Sequence, residues 1–246
     1  MNNDTSTSRR GSAELGPNAT SRRRWLGNAG LACASLLAVA PAVGAQPEAE
    51  EEVSPPEDLM REHGVLKRVL LVYEEVIRRI DGKLEVPPDA VRRGADIIRS
   101  FIEDYHEKLE EDYLFPRFEK AGRLTDLTRV LRAQHQAGRR LTDQITRLAT
   151  LEQLKEPRSV AMLRDALSQF IRMYSPHEAR EDTVLFPALR DIVSKQEFGA
   201  LGEEFEKKEH ALFGEDGFEK MVERVAAIEK TLGIYELDTF TPKLPG

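Results

Sequence analysis

Residues 106–116 read His-Glu-Lys-Leu-Glu-Glu-Asp-Tyr-Leu-Phe-Pro, and residues 177–187 read His-Glu-Ala-Arg-Glu-Asp-Thr-Val-Leu-Phe-Pro. Both have the form His-Glu-x-x-Glu followed by Leu-Phe-Pro, at an offset of 71. Upstream, His63 and His135 stand at an offset of 72. The chain thus reads as two copies of one unit, with a histidine first and a His-x-x-x-Glu pair after it. Residues four apart share a helix face. His106 with Glu110, and His177 with Glu181, each aim an imidazole and a carboxylate the same way. A buried carboxylate costs several kcal/mol unless it is paired, protonated or bound to a cation. A pair of metal ions meets that need, with the carboxylates shared and each histidine giving one nitrogen.

The elements that carry these residues read as helices. The first opens at Ser54-Pro55-Pro56-Glu57, the pattern of a capping box with proline at the helix start. Its apolar stripe is Leu59, His63, Leu66, Leu70, Tyr73, Ile77 and Ile80, and Gly82 ends it. The second follows Pro87-Pro88, with Val91, Ala95, Ile98, Ile102, Tyr105, His106, Leu109 and Tyr113 inward. The third spans about 125–154, with Leu131, His135, Gly138, Leu141, Ile145 and Leu148 inward. The fourth starts near Ser159 and carries Leu163, Leu167, Phe170, Tyr174, His177, Glu181 and Val184. Pro176 predicts a kink in it, and each Leu-Phe-Pro tail a bend or a stop. Short loops favour up-down packing of antiparallel neighbours. No segment alternates with period two, so no sheet is expected. A stripe of Phe198, Leu201, Phe205 and Leu212, and a last helix over about 218–231, predict helices packed outside the bundle. The fold class is all-α: a four-helix bundle over 57–192 with a helical extension over 193–246.

The set His63, His106-x-x-x-Glu110, His135, His177-x-x-x-Glu181 resembles the hemerythrin HHE cation-binding family over about residues 57–190. The resemblance implies two iron ions in a four-helix bundle. By it, His63 and His106 serve one iron, His135 and His177 the other, and Glu110 and Glu181 bridge. Manganese or zinc is the less favoured occupant. The implied partner is a small diatomic molecule or peroxide. One position departs from the family pattern. Oxygen-carrying hemerythrins have a fifth histidine one turn along the third helix, where this chain has Arg139. The functions implied are binding or sensing of O2, NO or peroxide, or iron handling. Alternatives are a di-iron oxidoreductase that consumes peroxide or O2, and a structural metal-stabilised bundle.

Around the six ligands stand candidates for supporting or extra roles. Glu62, Glu107 and Glu178 could hydrogen-bond to ligand histidines; Glu107 and Glu178 read equally as extra ligands or as a solvated face. Tyr105 could donate to a bound oxygen species or serve as a core residue. Arg139 cannot ligate; it must either turn to a carboxylate or hold an anionic ligand. Glu206 and His210 echo the ligand pairs in reverse order, off the stripe of their helix.

The chain of 246 residues carries a formal net charge of -7. Residues 1–45 hold five Arg and two acids, so the remainder is more acidic still. With no basic patch, this excludes nucleic acid as the expected partner. The single cysteine, Cys33, excludes thiolate-held clusters and disulfides from the rest of the chain. Ser21-Arg22-Arg23-Arg24-Trp25-Leu26 resembles the twin-arginine export signal, followed by an uncharged Ala- and Leu-rich stretch and Val43-Gly44-Ala45. The expectation is a signal peptide over 1–45, a mature start near Gln46, an acidic linker over 46–56, and a periplasmic or extracytoplasmic location. An uncleaved membrane anchor is the alternative.

Overall fold

The computed structural model describes residues 53–243. The expected signal peptide lies outside the described residues, as does most of the linker. Among the described residues every regular element is helical. No helix among them is long and apolar enough to cross a membrane.

Helix α1 spans Pro55–Asp81 and stops at Gly82. Ser54 takes the cap position, but its hydroxyl makes no capping bond, although Glu57, beyond the two prolines, offers an N–H at the position a capping box uses. Helix α2 begins as Pro88–Ile97, widens to a π-helical stretch Ile98–His106, and makes one α turn at Glu107–Leu109. It widens again at Glu110–Leu114 and closes as Phe115–Ala121. Gly122, in the left-handed region at φ 64°, terminates it. Helix α3 spans Thr125–Leu148. It ends six residues before the expected Leu154, because the backbone leaves the helical region at Ala149. Helix α4 spans Pro157–Arg180, runs unbroken through Pro176, and continues as a π turn Glu181–Leu185 and a short helix Phe186–Ala188.

The two π turns occupy equivalent places in the repeat. Each starts on the shared Glu and closes with the phenylalanine N–H donating to that glutamate's carbonyl: Phe115 to Glu110, and Phe186 to Glu181. The cause lies one residue on. Pro116 and Pro187 lack an N–H, and in an α turn their rings would strike the carbonyl four residues back. Widening the turn lets the helix pass the proline instead of ending there. The Leu-Phe-Pro tails therefore neither stop the helix nor form its end.

Antiparallel α1–α4 enclose a core in which Leu59, Leu66, Tyr73, Ile98, Ile102, Leu131, Leu163 and Phe170 are buried. Helices α5 (Lys195–Phe213) and α6 (Gly217–Leu232) pack chiefly on α1 and α2. On α5, Leu201 and Phe205 face inward as expected, but Leu212 is 59% exposed. Glu209 takes the buried position, receiving the Phe218 N–H at 2.7 Å, and so joins α5 to α6.

Candidate metal centre

The four helices bring His63, His106, Glu110, His135, His177 and Glu181 to one buried place, each at most 4% exposed. They form two groups. In the first, donor atoms of His63, His106 and Glu110 lie within 4.8 Å of one another. In the second, so do those of Glu110, His135, His177 and Glu181. Glu110 belongs to both: Oε1 lies 3.9 Å from His106 Nε2, and Oε2 lies 3.4 Å from His135 Nε2. Glu181 likewise reaches both halves, 3.2 Å from His177 Nε2 and 3.5 Å from His63 Nε2. The i, i+4 pairs are on one face because an α turn, not a π turn, separates each histidine from its glutamate.

Every one of the four histidines turns Nδ1 outward to an oxygen. His63 meets Asp182 at 2.7 Å, His106 meets Glu62 at 2.8 Å, His135 meets Glu111 at 3.1 Å, and His177 meets Gln134 Oε1 at 2.9 Å. A single proton at Nδ1 would leave each Nε2 its lone pair for the interior. The Nε2 atoms of His135 and His177 stand 3.2 Å apart. Two ligands at a right angle on one ion, about 2.1 Å from each, stand roughly 3 Å apart.

Among protein groups alone this arrangement is under-satisfied. All four oxygens of Glu110 and Glu181, and Nε2 of His106, are buried with no hydrogen-bond partner. Such atoms cost more than 1 kcal/mol each in order-of-magnitude terms. The electrostatics carry the same strain. Burial and the charge of Glu181 push the Glu110 carboxyl well above the usual range. Burial works the same way on Glu181, but His177 and His63 outweigh it and draw that carboxyl well below. Burial resists a proton on His63, yet Asp182 and Glu181 raise it to about 9. Burial takes His135 down to about 4, and His106 also falls. Cations held between the Nε2 atoms and the carboxylates would satisfy these groups. The donor set, imidazole nitrogen with carboxylate oxygen, fits iron or manganese.

The surrounding residues sort themselves by contact. Glu62 bonds to His106, as expected of a supporting residue. Glu107 is buried rather than on a solvated face: it accepts from the Tyr174 hydroxyl at 2.7 Å, pairs with Arg139 at 2.8 Å, and has a donor atom within 4.8 Å of those of Glu111 and His135. Burial raises it to about 8. Glu178 is buried too, 4.0 Å from Lys67, and burial raises it to about 7. Arg139 turns to Glu107 and Glu111, each at 2.8 Å. Tyr105 faces the extension, with its hydroxyl 3.5 Å from Glu209. The tyrosine beside the site is Tyr174, whose ring centre lies 5.4 Å from that of His177. Glu206 and His210 are exposed on α5 and join neither group.

Asp182, Glu111, Gln134 and Lys67 escaped the sequence reading, and Tyr174 was read only as a member of the inward stripe. A signal for the first three was present. An acid follows each shared glutamate, and Glu or Gln precedes each first-helix histidine.

A cleft of about 500 Å³ runs between α3 and α4, with Gln134 and Met173 in its wall and Arg140 and Arg172 at its edge. It brings the outer partner of His177 to the molecular surface.

The model of the hemerythrin HHE cation binding domain matches residues 54–161. That stretch takes in His63, His106, Glu110 and His135, and stops before His177 and Glu181. The chain is 55% identical over 196 residues to an uncharacterized protein of Mycobacterium tuberculosis strain H37Rv, with 80% of this chain and 77% of that protein covered. Uncharacterized proteins of Mycobacterium bovis AF2122/97 and of Mycobacterium tuberculosis CDC 1551 match to the same extent. No solved structure matches.

Proposed function

We propose that this chain, whose residues 54–161 match the hemerythrin HHE cation binding domain, holds two iron ions and uses them to bind or sense O2, NO or peroxide. His63 and His106 hold one ion, His135 and His177 the other, and Glu110 and Glu181 are shared. The observation that carries this reading is the set of buried, partnerless oxygens on Glu110 and Glu181 facing four Nε2 atoms. Iron supplies a coordination site at which a small oxygen- or nitrogen-containing ligand can bind. The protein's part is to fix the imidazole tautomers through their Nδ1 partners, to present the two buried carboxylates, and to exclude bulk water. Metal analysis of protein purified without added metal tests it; about two irons per chain is the expected result, by the ligand count of helical-bundle sites. Full zinc loading with no iron would overturn it.

A second reading, an oxidoreductase consuming peroxide or O2, is favoured by one observation. Arg139 occupies the place of a fifth histidine and points to Glu107 and Glu111, so no fifth imidazole competes with an incoming ligand. Mixing the reduced protein with O2 and with peroxide in stopped flow separates the two. A stable reversible spectrum means binding; rapid bleaching with steady consumption means turnover.

The twin-arginine-like pattern at Arg22 and Arg23 supports export in folded form, a route suited to a protein that must be loaded with metal first. Replacing both with lysine is expected to block export; unaffected export would refute that route.

A further inference from the structure

The two hairpins, α1–α2 and α3–α4, repeat their outer hydrogen bonds as faithfully as their ligands. His63 and His135 are equivalent, and each bonds to the acid that follows the other hairpin's shared glutamate: Asp182 and Glu111. His106 and His177 are equivalent, and each bonds to the residue that precedes its hairpin's first histidine: Glu62 and Gln134. Lys67 and Arg139 are equivalent as well, and each lies beside an equivalent pair, Asp182 with Glu178 and Glu111 with Glu107. Through all these correspondences a carboxylate is exchanged for a neutral group once, where Glu62 becomes Gln134.

That exchange matters because of what an outer acceptor does to a metal-bound imidazole. The ring ligates through Nε2 and donates its Nδ1 proton outward. A carboxylate acceptor draws that proton and makes Nε2 a stronger donor; a neutral amide does so more weakly. Both imidazoles of the first position, His63 and His106, donate to carboxylates. In the second position His177 donates to an amide. His135 donates to Glu111, whose charge is already shared with Arg139 at 2.8 Å and Lys108 at 3.0 Å. On the first side Asp182 pairs with Lys67 at 3.6 Å, a side chain half exposed. Counting Glu62, Asp182, Glu178 and Lys67 on the first side against Glu111, Glu107, Asp112, Arg139 and Lys108 on the second, the first position is the more negative by one charge. Glu178 and Glu107 take matching places and do not alter the difference.

The C-terminal helices widen it. Asp58 of α1 and Glu209 of α5 stand with Glu62 in one buried group, their oxygens within 4.8 Å of one another. The residue equivalent to Asp58 in the second hairpin is Val130, which is exposed. On that side Gln134 borders the cleft between α3 and α4. The first position is roofed and ringed with acid; the second has a neutral partner at the surface.

We propose that the two metal positions are inequivalent, with the His63–His106 position filled first and held, the His135–His177 position labile, and Glu62 against Gln134 setting the order. The proposal rests on the two-ion reading above.

The test is anaerobic titration of the metal-freed full-length protein with Fe(II), followed by chelator-driven release and Mössbauer spectra of the loaded protein. Loss of an outer partner typically changes metal affinity about 10- to 100-fold. The wild type should bind two ions in steps separated by at least about tenfold, release one fast and one slowly, and show two quadrupole doublets. Glu62→Gln should weaken the first step about 10- to 100-fold. Gln134→Glu should tighten the second step and bring the doublets together, which no loss of structure would do. If Glu62→Gln fails to fold, Gln134→Glu decides alone. Two ions bound in equal steps, unmoved by Gln134→Glu, would overturn the inequivalence and leave the two-ion reading standing. Fewer than two ions at saturating Fe(II) would overturn the two-ion reading and this proposal with it.

Discussion

The two hairpins supply the same three donors each, yet they are built differently behind those donors. In the first, Leu66 fills the stripe position after His63, and the helices α5 and α6 lie over its outer side. In the second, the matching position is Gly138. A Cβ there would meet the Tyr174 hydroxyl oxygen at 2.0 Å. That hydroxyl bonds to Glu107, which pairs with Arg139. One turn after its first histidine, one hairpin packs hydrocarbon and the other leaves room for a buried polar chain. Ligand chemistry demands donors at fixed spacing, and both copies keep them. It demands much less of what stands behind the donors, and there the copies have diverged.

The largest expected effect removes what joins the halves. Glu110→Ala is expected to lower metal content from about two ions per chain to below one, because its two oxygens face opposite halves. Glu181→Ala should do nearly the same. Elemental analysis of the purified variants checks both. Two ions retained in Glu110→Ala would mean that each hairpin holds its ion without a shared carboxylate.

Metal removal comes next. The oxygens of Glu110 and Glu181 are buried without hydrogen-bond partners in the protein, so the folded chain offers cations a site that the unfolded chain lacks. At free metal one hundred times the dissociation constant, such binding contributes about 2.7 kcal/mol. Chelated protein should therefore melt several degrees lower and recover when Fe(II) is restored. An unchanged melting temperature would separate the metal from the fold.

The difference behind the histidines is sharpened by two opposite substitutions. Leu66→Ala opens a cavity in a fully packed hairpin and should cost about 2–5 kcal/mol. Gly138→Ala forces Tyr174 away from Glu107 and should cost about 1–3 kcal/mol. Denaturant unfolding measures both. The second should also displace the Tyr174 hydroxyl proton resonance, while the first should leave it in place.

How far the sequence led is best seen residue by residue. The six donors were legible because spacing of four on a helix is local arithmetic, and because the repeat printed the arithmetic twice. The helices were legible from stripes such as Leu59, His63, Leu66, Leu70. The π turns were not, since a helix that widens for one turn keeps nearly the same apolar spacing in letters. Nor was the end of α3: Leu151 and Leu154 continue a stripe that the backbone abandons at Ala149. Glu107 and Glu178 stand one residue from a ligand, so extra ligand, hydrogen-bonding partner and solvated face all stayed open for them. Their burial depends on Tyr174, Arg139 and Lys67, residues of other helices. Glu209 replaced Leu212 inward because the Phe218 N–H at the start of α6 needs an acceptor.

The smallest effect separates the two equivalent cations. Lys67 is half exposed and stands 3.6 Å and 4.0 Å from its carboxylates. Pairs of that kind contribute about 0–1 kcal/mol. Lys67→Ala should therefore leave stability within that range. Arg139 makes two contacts of 2.8 Å, one of them to fully buried Glu107. Removing it strands a buried carboxyl with only the Tyr174 hydroxyl, at a cost of about 1–3 kcal/mol. Both variants keep all six donors, so both should keep about two metal ions per chain. Salt provides the second reading: 0.5 M NaCl should erase the Lys67→Ala difference, because exposed charges are screened, and should leave most of the Arg139→Ala difference intact. Equal costs for the two variants, falling together with salt, would mean that the polar chain behind His177 is no more buried in solution than its counterpart. The contrast between the hairpins would then reduce to Glu62 against Gln134.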